Sequence, residues 1–350
     1  MTPVRIAVAG AGSIGRRHIE EIARSACAQL AAIVDPSPSA RALADEHRVP
    51  LHDSLDMLLH DSCCDGIVLA TPNALHVPQG LACIAAGVPA LIEKPIAPDF
   101  AEGARLCEAA SRAKAKILVG HHRRHSPILH KAIEIVTSGV LGRLVGVVGS
   151  AVFYKPDEYY EGANAWRRQA GGGPILLNMI HEIDNLRAMI GEIVAVQAFA
   201  SSATRGFEVE DTVAINLRFE NGALGTFLLS DTAASPKSWE QTSQENKAYA
   251  SYEDEDAYTI MGTRGSLGVP TMRVRCYDRD ADRSWMKPFR TSVERVERED
   301  PLARQIEHFA AVLRGDAEPL VTCRDGLQNL KVTDAIAQAA RSGQLIDTRG

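Results

Sequence analysis

The first third of the chain alternates in blocks, with apolar runs at 4–9, 29–34, 66–70, 88–92 and 116–119. Between them lie segments, such as 101–114, whose apolar residues recur at helical spacing. Continuous apolar runs separated by helices predict a parallel sheet covered on both faces. From about Ser126 the pattern changes. A helix over 128–138 leads into a β run at 143–154, a loop rich in aromatic, charged and glycine residues, and a helix over 174–190. Three further β runs follow near 192–203, 211–219 and 222–230, and Asn221-Gly222 between the last two signals a hairpin. Segments near 257–262 and 271–277 extend this second sheet, which is therefore expected to be largely antiparallel. The polar stretch 235–256 reads as a long loop, Pro301 opens a helix to Leu313, and 325–342 is the last helix.

Composition narrows the class. At 350 residues, 45% hydrophobic and 23% charged, the chain is long enough for two domains with cores of their own. A formal charge of -6 argues against nucleic acid as a partner, and the basic stretch 121–125 is a local cluster without a basic face around it. Seven cysteines, Cys63 and Cys64 adjacent among them, show neither metal-ligand spacing nor a disulfide framework. Reduced thiols in a cytoplasmic protein are the simplest account. No apolar run reaches membrane-spanning length, and the start of the chain enters a strand without the pattern of a secretory leader.

Candidate chemistry begins at the first strand. Gly10-Ala11-Gly12-Ser13-Ile14-Gly15 follows an apolar run, opens a helical segment and continues to His18. In that setting Gly10 suits a tight turn, Gly12 the close approach of a pyrophosphate, and Gly15 the packing of helix on strand, while free N–H groups at the helix start face the phosphates. The second run ends on Asp35, placed to hold the adenosine ribose hydroxyls. A carboxylate there favours NAD by repelling a 2'-phosphate, while Arg41 about two helical turns on leaves NADP open.

Two further groups stand at predicted strand ends: Thr71-Pro72-Asn73 with His76 after it, and Glu93-Lys94-Pro95. A third is the glycine turn Gly171-Gly172-Gly173-Pro174, which opens a helix carrying Asn178, His181 and Asp184. By α-helical spacing Asn178, His181 and Asn185 share one face, and Asp184 follows His181 by a turn. His181 is the candidate general acid/base, and Lys94 the candidate cation for a developing alkoxide. Arg123, Tyr154, Trp166 and Arg167 suit an anionic substrate, because the planar guanidinium fork matches carboxylate or phosphate. Salt bridges within the loop, or contact with a cofactor pyrophosphate, are the competing reading. His121, His122 and His125 lack an acidic partner in a metal-ligand pattern, and no metal is expected.

In this order, the glycine fingerprint ending in His18, Thr71-Pro72-Asn73 with His76, Glu93-Lys94-Pro95, and the triple-glycine helix with His181 and Asp184 resemble the glucose-fructose oxidoreductase, inositol dehydrogenase and MocA family over nearly the whole chain. The resemblance implies an α/β protein in two domains. Residues 1–123 would be a doubly wound Rossmann domain for NAD, and 124–350 a substrate-binding and oligomerisation domain with a mostly antiparallel open sheet, the C-terminal helices free to pack back on the first domain. Thr71, Pro72, Asn73, His76, Glu93 and Lys94 would join the fingerprint at the cofactor, and Asn178 and Asp184 would contact substrate. It further implies hydride transfer at a carbinol carbon of a sugar, cyclitol or related hydroxylated compound, and assembly through the sheet as a homodimer or homotetramer. The usual helix motif of that family has aspartate four residues before the histidine and glycine two before it; here Leu177 and Met179 stand there. That departure keeps two alternatives open: a non-catalytic NAD(H)-binding sensor, or an enzyme that holds NAD tightly and uses transient oxidation for elimination.

Overall fold

The computed structural model describes residues 2–349 and falls into two compact units. The first runs to His125 and regains Pro301–Leu330; the second holds Ser126–Asp300 and the chain from Lys331 onward. In the first unit β1 (Val4–Ala9), β2 (Ala28–Val34), β3 (Leu51–His52), β4 (Gly66–Leu69), β5 (Ala90–Ile92) and β6 (Ile117–Val119) pair in the order β3-β2-β1-β4-β5-β6. All neighbours are parallel, as a Rossmann sheet requires. Ile6, Ala7, Val8, Ile67, Val68 and Leu69 are fully buried, which is why these strands read as unbroken apolar runs. The order reverses between β1 and β4, and nucleotides bind beyond the carboxyl ends of strands at such a switch point.

The second unit carries β7 (Leu144–Val152), β8 (Ile193–Ser201), β9 (Thr212–Phe219), β10 (Leu224–Ser230), β11 (Tyr258–Gly262), β12 (Gly265–Val269), β13 (Arg273–Cys276), β14 (Arg290–Val293) and β15 (Ile346–Asp347). Their order is β14-β13-β12-β11-β7-β10-β9-β8-β15, antiparallel except where β7 meets β10. The β9–β10 hairpin turns at Glu220-Asn221-Gly222, with Phe219 N–H donating to Ala223 O at 2.9 Å. One face of the sheet packs on Ile128, Leu129, Ile183, Leu186, Val332 and Ile336. On the other, Val148, Phe199, Leu224 and Leu228 are 46–68% exposed.

Three local features depart from the periodicity. The two-residue strand β3 is too short to show alternation, and a helical turn at Trp239–Thr242 interrupts the polar stretch. The expected helix over 174–190 begins as a π turn, Ile175–Met179, before the α-helix Ile180–Ile190. Its i→i+5 bonding changes the angular step, so faces assigned at 100° per residue do not hold across Leu177 and Asn178.

Candidate active site

At the end of β1 each fingerprint glycine has a separate steric reason. Gly10 has φ +94°, and a Cβ there would lie 2.5 Å from Ala70 O; one on Gly15 would lie 1.8 Å from Gly10 O. Gly12 faces open space, and no side chain caps the helix Ser13–Arg24 that it precedes. Bare N–H groups at an open helix start beside a switch point fit a pyrophosphate. Asp35 accepts from Ala11 N at 2.7 Å and Ser37 N at 2.8 Å. Burial pushes its carboxyl up, but the bonds from Ser37 and Ala11 outweigh this and hold it below the usual range. It is therefore a fixed carboxylate with lone pairs left for ribose hydroxyls.

Beyond β4 and β5 the chain is tied together through histidines. Buried His76 has Nδ1 2.7 Å from Pro95 O and Nε2 2.8 Å from Thr71 O, bracing the two loops, while Thr71 Oγ1 donates to Gln79 at 2.6 Å. Pro72 and Asn73 open the helix Asn73–Ala86. Glu93, one residue past β5, lies 2.8 Å from the fully buried His18 ring and accepts from Lys94 N at 3.1 Å. Burial alone would raise its carboxyl; the His18 bond and charge, with His122 and Lys94, bring it below the usual value. Burial, aided by Arg123, pushes His122 down to about 3, so that ring is neutral at neutral pH. Half-buried Lys94 follows directly on this ionised carboxylate. Arg123 is buried in the turn His122–His125.

In the second unit His181 lies in the first turn after the π turn and is buried, as is Asp184. Asn178 accepts from Lys155 Nζ at 2.7 Å. The Asn185 amide donates to Tyr258 Oη at 2.9 Å, and that hydroxyl donates to buried Glu182. The Arg167 guanidinium lies 3.9 Å from the Tyr159 ring centroid and donates through Nη1 to Tyr159 O at 2.9 Å. Tyr154 and Trp166 are exposed.

Residues 4–121 match the family model described as "Oxidoreductase family, NAD-binding Rossmann fold", and residues 129–268 match "GFO/IDH/MocA C-terminal domain". The chain belongs to the Gfo/Idh/MocA oxidoreductase family. It is similar to 1,5-anhydro-D-fructose reductase of Ensifer adhaerens, 26% identical over 349 residues, and to inositol 2-dehydrogenase of Rhizobium meliloti (strain 1021), 25% identical over 341; each match covers 96% of both chains. Among solved structures, the WlbA dehydrogenase from Bordetella pertussis in complex with NADH and UDP-GlcNAcA is 26% identical with a TM-score of 0.78, covering 99% of both chains. This member of the family is thus an NAD-binding oxidoreductase. No helix among the described residues is long and apolar enough to cross a membrane.

Several partners of the site were not visible as motifs in this Gfo/Idh/MocA chain. Arg205 joins Asp231 (Nε to Oδ1, 3.2 Å) and donates to the carbonyls of Lys155 and Asp231, while Tyr160 Oη donates to Asp231 at 2.5 Å. Glu210 accepts from Ile175 N at 2.9 Å, capping the helix that bears His181, and Gly173 leaves it room, since a Cβ there would lie 2.7 Å from its carboxylate. Burial raises the Glu210 carboxyl. Glu210→Ala should cost about 1–2 kcal/mol of stability, a fall in Tm of roughly 2–8 °C, by stripping one N–H of its acceptor. Glu210→Gln keeps an acceptor without the buried charge and should lie much nearer the parent; equal Tm for all three in a thermal melt would remove the cap.

Proposed function

We propose that this protein is a dehydrogenase or reductase acting on a secondary alcohol of a hydroxylated small molecule, in the class of sugars, cyclitols and hydroxylated acids. The observation that carries this reading is Lys94 directly after the buried Glu93–His18 pair, at the carboxyl end of a strand in an NAD-binding sheet. The relatives' names, which speak of a sugar reductase and a cyclitol dehydrogenase, support the substrate class.

Gly10, Ala11, Gly12, Ser13, Ile14 and Gly15 would hold the pyrophosphate of NAD at the helix start, and Asp35 its adenosine ribose. When bound, the nicotinamide supplies the hydride chemistry. In the oxidative direction His181 takes the carbinol proton as general base, and in reduction it returns it. Lys94 is assigned the hydrogen bond that steadies negative charge gathering on the carbinol oxygen. Glu93, held below the usual carboxylate range and tied to His18, keeps a negative charge on the residue next to Lys94. Leu177 removes the carboxylate that the family motif places before the histidine, and Asn178, tied to Lys155, supplies the polar contact on that helix.

The bare face of the second sheet is further read as the surface on which a second copy docks. Val148 and Leu228 lie there more than 45% exposed, beside a groove lined also by Phe199, Ala214, Asn216 and Thr226. Val148→Asp with Leu228→Asp should give monomers by sedimentation, and an unchanged oligomer would dismiss this face.

The reading is tested by incubating purified protein with NAD, and separately NADP, against sugars, cyclitols, sugar acids and hydroxy acids while following nicotinamide absorbance. Reduction of the cofactor that disappears in Lys94→Ala and His181→Gln supports it. Tight NAD binding with no net reduction on any compound would replace it with a sensor or a closed redox cycle, readings that Leu177 favours.

A further inference from the structure

We propose that Arg167 and Lys155, set around the ring of Tyr159, form a subsite for the carboxylate of the substrate, so that the hydroxylated compound this protein handles is an acid. The inference deepens the functional reading above and rests on the second unit binding substrate.

The two cationic heads share one mount. Arg167 Cζ lies 3.9 Å and Lys155 Nζ 4.6 Å from the Tyr159 ring centroid. Cations stacked on an aromatic face keep their charge while losing conformational freedom, which prepares them for an anion. Lys155 also donates to Asn178 at 2.7 Å, on the helix that bears His181 three residues later. The cluster thus sits against the segment that carries the candidate base.

Arg167, like its neighbour Arg168, meets rings and no carboxylate among the described residues. Its Nη1 donates to a backbone carbonyl, its flanks are the rings of Tyr159 and Trp166, and among the described residues it makes no ion pair. Its Nε is covered by protein and finds no acceptor, a state that native structures seldom leave uncompensated. The neighbouring cation Arg205 differs. It is answered by Asp231 at 3.2 Å and Asp157 at 3.5 Å, so its place in the fold is structural. Lys155, 4.0 Å from Asp231, shares that carboxylate with Arg205 and Tyr160. With Nη1 on a carbonyl and Nε covered, Nη2 of Arg167 is the donor left for one carboxylate oxygen, and Lys155 adds a point charge on the same ring.

The test is calorimetric titration of protein saturated with NADH, using D-gluconate and its uncharged counterpart D-glucitol as probes. The parent chain should bind gluconate at least tenfold more tightly than glucitol. Arg167→Met should cut that preference to less than twofold without changing glucitol or NADH affinity; Lys155→Met should weaken it, and Arg167→Lys should retain part of it. Equal binding of the two probes, no gluconate binding, or a preference that survives Arg167→Met in a variant with parental Tm and NADH affinity would each overturn the proposal. The two readings fail separately. If Arg167→Met loses gluconate preference yet neutral polyols still reduce NAD, both stand. If no compound turns over, the dehydrogenase reading falls while the gluconate titration still decides the subsite.

Discussion

Replacing Lys94 with alanine should lower kcat about a thousandfold, about 4 kcal/mol of transition-state stabilisation, while NAD affinity stays within about threefold of the parent. On the proposed role the effect is large, because a charged donor to a developing alkoxide acts mainly in the transition state. The small effect on NAD follows from position. The fingerprint turn and Asp35 hold their own geometry through Ala11, Ser37 and the β1–β4 contact, and the Lys94 backbone N–H to Glu93 remains in the variant. His181→Gln should cost about 10²- to 10⁴-fold in kcat, the usual range for a general acid/base. Steady-state rates with a calorimetric NAD titration check all of this. A Lys94→Ala enzyme with parental kcat would sink the assignment.

The second large effect is steric. Gly15→Ala places a methyl 1.8 Å from the carbonyl oxygen of Gly10; that oxygen is backbone, and the methyl is fixed to the helix backbone with no rotamer to escape through. The helix start must move off the strand, taking its free N–H groups with it. We expect NAD affinity to fall at least about a hundredfold, about 2.7 kcal/mol, together with a loss of about 1–3 kcal/mol in stability from the overpacking. Gly12→Ala is the informative partner, because its Cβ meets nothing within 4 Å. It should melt like the parent yet bind NAD poorly, since the methyl would occupy space the pyrophosphate needs. Parental NAD affinity in both variants would mean that the cofactor does not use this turn.

The contrast between those two glycines shows why the first unit was so readable. Each fingerprint residue answers a requirement made by atoms close in sequence or on the adjacent strand. The same holds for the Asn221-Gly222 hairpin and for Asp99, whose side chain caps the helix Phe100–Ala113 through Glu102 N. The helix bearing His181 was legible as a helix but not in its phase. Nothing in the periodicity of Ile175-Leu176-Leu177-Asn178-Met179 distinguishes an i→i+5 turn from an i→i+4 one, so the 100° spacing that relates His181 to Asn185 within the α-helix does not extend back to Asn178. Asn178 went to Lys155 and Asn185 to Tyr258.

The sequence by itself determined the Rossmann unit, the position of Asp35 at the end of the second strand, the strand-end position of Lys94, and the place of His181 after a glycine turn. These depend on local steric limits and on which runs can be buried on both faces. Only the tertiary structure decided that Glu93 faces His18, 75 residues away, that Glu210 caps a helix start 35 residues before it, and that Lys155 reaches Asn178 across 23 residues. Buried polar groups must find partners, and the fold chooses which distant segment supplies them, because that choice follows from packing and leaves no periodic trace in the chain.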